Sequence, residues 1–137
     1  MKKIMVVDAQ GGGVGKQIIN SIREKFTDIK IIAVGTNLSA TAAMLKAGAD
    51  EGATGENSIC VVSKSVDIII GPLGMVIADS MLGEITSTMA NAIARANAIK
   101  IFIPFTNCDN YVAGIGNQNT ATLIESAIKI LNDVLKQ

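Results

Sequence analysis

The stretch Lys3-Ile4-Met5-Val6-Val7-Asp8-Ala9-Gln10-Gly11-Gly12-Gly13-Val14-Gly15-Lys16 constrains the fold most strongly. An apolar run meets a cluster of glycines, and a helical apolar period follows at once. That pattern is a buried parallel strand, a tight turn and a helix N-terminus. Such a turn aims backbone N–H groups and the positive end of a helix at one point, where an anion can sit.

The same alternation continues along the 137 residues. Strand 1 is expected over Lys3–Val7. Helix 1 is expected over Val14–Phe26, with Val14, Ile18, Ile22 and Phe26 on one face. Strand 2 covers Ile29–Val34. The Gly35–Ser39 turn follows, with Ser39 as N-cap of a helix 2 that ends at Ala47, and Gly48 at its C′ position. Strand 3 is placed at Ala49–Ala53. Helix 3 is placed at Glu56–Ser65, although Ile59, Val61 and Val62 suit a strand equally. Strand 4 is Asp67–Ile70, helix 4 Glu84–Ala96 and strand 5 Lys100–Pro104. Tyr111–Ile115 reads as a sixth, edge strand. Helix 5, Thr120–Leu135, presents Leu123, Ile124, Ala127, Ile128, Leu131, Val134 and Leu135 on one face, with Thr122 and Glu125 at capping-box spacing. Strict β-α alternation implies one domain over residues 1–137, with a mostly parallel sheet of five or six strands and helices on both faces.

Composition narrows the function classes. Lys plus Arg equals Asp plus Glu at 12 each, and aromatics are 3%. No basic face is left to neutralise a phosphodiester backbone and few rings to stack on bases, so nucleic acid is not an expected partner. No apolar run approaches the about 18 residues of a membrane span, and Asp8 with the glycines cuts the N-terminal run too short for a signal peptide. Cys60 and Cys108 stand far apart with no histidine in the chain. That excludes a Cys/His zinc site, makes a disulfide framework unexpected and points to the cytoplasm.

In an open parallel sheet, ligands bind beyond the carboxyl ends of the strands. Those ends fall at Asp8–Lys16, Gly35–Ser39, Ala53–Asn57, Gly71–Gly74 and Thr106–Asn110. Three readings compete for the first loop. A nucleotide P-loop keeps Gly15 and Lys16, but has Gln10 in place of its first glycine and Gln17 in place of its metal-binding hydroxyl. The dinucleotide fingerprint keeps Gly12 and Gly15. It again has Gln10 for its first glycine, and offers Thr36 and Asn37 where a ribose-binding acid belongs. The plain alternative is a turn whose glycines only let helix and strand pack closely. Three successive glycines plus Gly15 exceed what packing needs. Lys16, a cation at a positive helix end, is better placed beside a bound anion, the plain alternative being a solvated side chain.

Two further groups carry alternatives. Asp8, Asn107 and Asp109 would line one crevice, where the two aspartates could hold Mg²⁺ or serve as acid and base; the plainer reading is turn chemistry. Cys108 in the same loop would be a nucleophile only with a cation or helix end to lower its pKa, while Cys60 reads as a small core residue. The Gly71–Glu84 stretch is too apolar for a solvated loop. Met75, Val76, Ile77, Met81 and Leu82 form a short buried helix, a lid or a homodimer contact.

Taken together, Asp8–Gln17, Gly52–Asn57, Gly71–Gly74, Leu82–Thr86, Ile103-Pro104 and Asn107-Cys108 resemble a small bacterial family known as a domain of unknown function. The resemblance covers nearly the whole chain. It implies a free-standing cytoplasmic protein with a Rossmann-like fold, and it marks Gln10 as the family's usual residue. It brings no substrate, reaction or catalytic residue. The expectation is therefore a three-layer Rossmann-like α/β domain that binds a phosphate-bearing metabolite, a nucleotide or a dinucleotide. Gly11, Gly12, Gly13, Gly15 and Lys16 would bind the phosphate, and Thr36 and Asn37 a sugar. The alternative is a self-associating module with no small-molecule ligand.

Overall fold

A computed structural model describes residues 1–104 and 110–137. The strands are β1 (Lys2–Asp8), β2 (Ile29–Gly35), β3 (Glu51–Thr54), β4 (Ile68–Pro72) and β5 (Ile99–Ile103). The helices are α1 (Gly13–Lys25), α2 (Leu38–Lys46), α3 (Glu56–Ser63), α4 (Ser87–Arg95) and α5 (Thr120–Leu135). A single 3₁₀ turn, Leu73–Val76, follows β4. The strands form one sheet in the order β3-β2-β1-β4-β5, every neighbouring pair parallel. This is a Rossmann-like doubly wound arrangement, whose winding reverses between β1 and β4.

The strands read as unbroken apolar runs because both faces of the sheet are covered. Ile4 and Val6 of β1 and Ile68 and Ile70 of β4 join Ile18 and Ile22 of α1, Met44 of α2 and the α5 face in one core. Met5, Val7 and Ile69 point the other way, onto Ile59 of α3, Met75 of the 3₁₀ turn and Met89 and Ile93 of α4. All seven residues predicted for the α5 face lie in or against the first core. The ambiguous Ile59 stretch is helical, with Ile59 and Ser63 one turn apart and buried.

Helix boundaries differ from those expected where another residue supplies the cap. Asn37, not Ser39, caps α2 by accepting from the Ala40 N–H at 2.9 Å. Asn119 caps α5, accepting from the Thr122 N–H at 2.8 Å, so Thr122 serves as helix residue and not as cap. Thr86 caps α4 through the Met89 N–H at 3.1 Å, which leaves Glu84 outside the helix. The expected edge strand at Tyr111–Ile115 does not form: Gly114 and Gly116 take φ of 89° and 59° and turn the backbone out of an extended path. Among the described residues, no helix is long and apolar enough to cross a membrane.

Candidate functional site

The loop from β1 to α1 contains two kinds of glycine. A Cβ on Gly12 would lie 2.8 Å from the Ala40 Cα and 2.9 Å from its carbonyl oxygen, and Gly12 has φ +75°. A Cβ on Gly15 would lie 2.5 Å from Met44 Sδ and 3.1 Å from the Asp8 Cβ. Gly12 is demanded by the close approach of the α2 backbone, while at Gly15 a side chain would force Met44 of α2 to shift. A Cβ on Gly11 or Gly13 would meet nothing within 4 Å. Nothing inside the described structure requires those two to be glycine. Gln10, in the place of a first glycine, does adopt the left-handed conformation at φ 51°, which costs a side-chain-bearing residue about 1–2 kcal/mol.

Asp8 braces this loop from beneath. It is buried, its Oδ1 accepting from the Ala9 N–H at 2.8 Å and its Oδ2 from the Gly15 N–H at 2.7 Å. One of the orphan donors at the start of α1 is thus satisfied internally. Burial pushes the Asp8 carboxyl above its ordinary 3.8; the backbone N–H groups of Gly15 and Ala9 pull it back in part, and the Glu84 charge adds to the rise. Asp8 therefore sits under the glycine loop, where its bonds to Ala9 and Gly15 shape the turn. Among the described residues, the N–H groups of Gly11 and Gly13 have no protein partner.

Glu84 is the residue that sequence reasoning missed. Its Oε2 accepts from the Gln10 N–H at 2.6 Å, from Asn37 Nδ2 at 3.2 Å and from the Thr36 hydroxyl. Asn37 Nδ2 also donates to the Gln10 carbonyl at 2.9 Å. One carboxylate thereby ties the ends of β1 and β2 to the connection before α4, and stabilises the unusual backbone of Gln10. Thr36 and Asn37, expected to reach a sugar, are held by Glu84 instead. The only sequence sign was an isolated carboxylate closing an apolar, glycine-flanked stretch.

Burial alone would raise the Glu84 carboxyl, but the bonds from Thr36, Gln10 and Asn37 outweigh it and hold it below its ordinary 4.5. A lowered folded pKa contributes stability that is fully present above 4.5 and is lost as pH falls through the folded value. Asp50 has the same sign, held low first by the Ile31 N–H and then by Arg23. Asp8 has the opposite sign. Glu84→Gln removes this contribution together with the smaller Glu84 part of the Asp8 rise: the stability gap between wild type and variant should shrink as pH falls from about 7 through the lowered Glu84 value, as read by urea midpoints. A gap that stays constant would contradict the assignment.

A cavity of about 860 Å³ opens between the β1–α1 loop and the segment after β4. Asp8, Gly11, Gly12, Gly13 and Gln17 line one side; Pro72, Gly74 and Ile77–Leu82 line the other; Asn110 and Thr120 close the end. It lies at the reversal of the sheet, beyond the carboxyl ends of β1 and β4, where doubly wound folds take their ligands. The segment after β4 forms a wall and does not fill the crevice. Its Met75 is wholly buried, so it offers no surface to a second copy; Val76 and Met81 pack against the same core. Met81, Leu82 and Gly83 then run through successive φ of 57°, 59° and 84°, leaving the Leu82 side chain fully exposed at the rim. Lys16 is exposed on α1 and lies off the cavity wall. Asn107 and Asp109, with Thr106 and Cys108, lie outside the described residues. A smaller cavity of about 590 Å³ opens at the other end of the sheet, between α3 and α4, where half-buried Cys60 lines the wall beside Lys64 and Arg95.

The chain belongs to the family described as domain of unknown function DUF3842, whose model matches residues 3–136. No curated protein matches it. Among solved structures, a saccharopine dehydrogenase (L-Glu forming) from Saccharomyces cerevisiae is similar at 14% identity and a TM-score of 0.50, over 93% of this chain and 25% of the dehydrogenase. A dodecameric FMN-dependent UbiX-like decarboxylase from Escherichia coli is similar at 15% identity and a TM-score of 0.47, over 96% of this chain and 76% of the other. A quinone oxidoreductase from Thermus thermophilus, solved also with NADPH, is similar at 19% identity and a TM-score of 0.47, over 93% and 44%. At these identities the likeness is one of fold, and the chain spans under half the length of the dehydrogenase and the oxidoreductase.

Proposed function

We propose that this DUF3842 chain binds a phosphate-bearing metabolite or nucleotide in the crevice between β1 and β4. The phosphate is held by the backbone N–H groups of Gly11 and Gly13 at the positive end of α1. Gly12 and Gly15 keep the loop close to α2, Asp8 fixes its shape from below, and Lys16 adds positive charge from outside the wall. The observation that carries the reading is the pair of glycines with no packing neighbour, both facing a cavity of about 860 Å³. Glycine weakens a fold relative to alanine unless the backbone must be approached closely, and here the space belongs to no other part of the described chain. The volume falls within the roughly 300–1,000 Å³ of small-molecule sites.

The competing reading, self-association through Met75, Val76, Ile77, Met81 and Leu82, loses support from the burial of Met75. Thermal shift separates the two. A ligand at a hundred times its Kd adds about 2.7 kcal/mol, a rise of roughly 2–8 °C for a chain of this size. Inorganic phosphate, AMP, FMN, NMN and coenzyme A serve as probes. We expect a rise with at least one, reduced tenfold or more in affinity by Gly13→Ala, whose added methyl enters the phosphate seat while the fold stays intact. No rise with any probe, or a rise that Gly13→Ala leaves unchanged, would overturn the proposal.

A further inference from the structure

We infer that the ligand carries a single nucleotide's worth of structure, and that Glu84 closes from within the half of the crevice a second nucleotide would need. The inference rests on the phosphate site proposed above and names the size and placement of what it holds. In a doubly wound dinucleotide site the two nucleotides straddle the reversal of the sheet, and one ribose is held by an acid near the end of β2. In this chain the end of β2 is Gly35, followed by Thr36 and Asn37. Every polar side-chain group there already has a partner. The Thr36 hydroxyl donates to Glu84. Asn37 Nδ2 donates to Glu84 Oε2 at 3.2 Å and to the Gln10 carbonyl at 2.9 Å, while its Oδ1 accepts from the Ala40 N–H at 2.9 Å. The Thr36 N–H donates to the Asp8 carbonyl at 3.1 Å.

A ribose at this place would have to displace the carboxylate that supports the positive φ of Gln10. Its phosphate would meet the charge of Glu84, which the three hydrogen bonds hold ionised. The cavity agrees with the network: neither Thr36, Asn37 nor Glu84 lines it. It extends instead over β4, past Ile77 and Met81, to Asn110 and Thr120. Among the described residues, the cavity that Gly11 and Gly13 line gives a phosphate there its room on the β4 side. Ile77 and Met81 provide an apolar wall for a flat ring, and Ser80 and Asp79 supply polar edges beside it. The class that fits is a mononucleotide: one phosphate ester, one sugar or sugar-like linker and one ring.

Isothermal titration of the full chain with matched pairs tests this, using FMN against FAD and NMN against NAD. The expected result is that a mononucleotide binds at least tenfold more tightly than the dinucleotide sharing its head group. A dinucleotide that binds as tightly as its mononucleotide would overturn this inference and leave the phosphate site standing. Silence from all four, with the thermal-shift probes also silent, would overturn both. Glu84→Ala adds a second reading. With the carboxylate gone, the tenfold preference should narrow to threefold or less, whereas a preference that persists in the folded variant would show that Glu84 is not what closes the site. Should Glu84→Ala fail to fold, Glu84→Gln removes the charge at constant length and should narrow the preference in the same direction, a preference that stays unchanged counting against the role of Glu84; the wild-type comparison decides the ligand class in either case.

Discussion

Gly12→Ala is expected to lower stability by about 3 kcal/mol, or roughly 10 °C in Tm. The left-handed conformation costs a side-chain-bearing residue about 1–2 kcal/mol, and overpacking adds about 1–3 kcal/mol. Both apply, because Gly12 has φ +75° and its Cβ would lie 2.8 Å from the Ala40 Cα. Backbone cannot move aside as a flexible side-chain end can, so the methyl must push α2 away from the loop. Gly11→Ala and Gly13→Ala, with nothing within 4 Å of the new methyl, should equal wild type in stability or exceed it by up to about 1 kcal/mol. Urea denaturation of the three variants measures the contrast. Equal stability of Gly12→Ala and Gly13→Ala would mean that the loop is not pinned against α2. The contrast also separates the two jobs of the glycines, since Gly12→Ala acts on the fold and Gly13→Ala on the ligand.

Asp8→Ala carries the second large effect, a loss of about 2–4 kcal/mol. The substitution leaves the Ala9 and Gly15 N–H groups, now bonded at 2.8 and 2.7 Å, without their acceptor in a buried place, and a charged partner makes each such bond stronger than a neutral one. Asp8→Asn keeps one carbonyl acceptor and should lose less. The pH dependence has a definite sign. Because burial raises the folded pKa above 3.8, the ionised carboxylate is a burden at high pH that is relieved as pH falls through the raised value. The stability lost in Asp8→Ala should therefore grow as the pH is lowered from about 8 toward the carboxylate range. Chemical denaturation across that range checks it, and a loss that shrinks on acidification would contradict the burial of the charge.

Much of the fold was legible because its signals are local. The runs at Lys3–Val7 and Ile29–Val34 are apolar at every position from Ile4 and Ile31 onward, as strands buried on both faces must be, and the Leu123–Leu131 spacing repeats each helical turn. The caps were less legible, because Asn37 and Asn119 compete with nearby Ser39 and Thr122 for the same role, and only backbone geometry decides among them. The site was legible as a loop and illegible as a network. Glu84 lies 74 residues from Gln10 and 48 from Thr36, and no period or spacing connects groups so far apart. The glycines show the same limit. Their number suggested more than packing, but which of them pack depends on Ala40 and Met44, residues brought close only by the turn after β2.

The most direct test of the central claim is a two-dimensional ¹H–¹⁵N NMR titration of the labelled chain with FMN, NMN and AMP. The Gly11 and Gly13 amide resonances should move furthest and downfield, as N–H groups that gain a charged acceptor do. Ile77 and Met81 should follow, and Thr36 and Asn37 should stay nearly still. Shifts confined to the α3–α4 cavity around Lys64 and Arg95, or Gly11 and Gly13 amides indifferent to all three compounds, would contradict it.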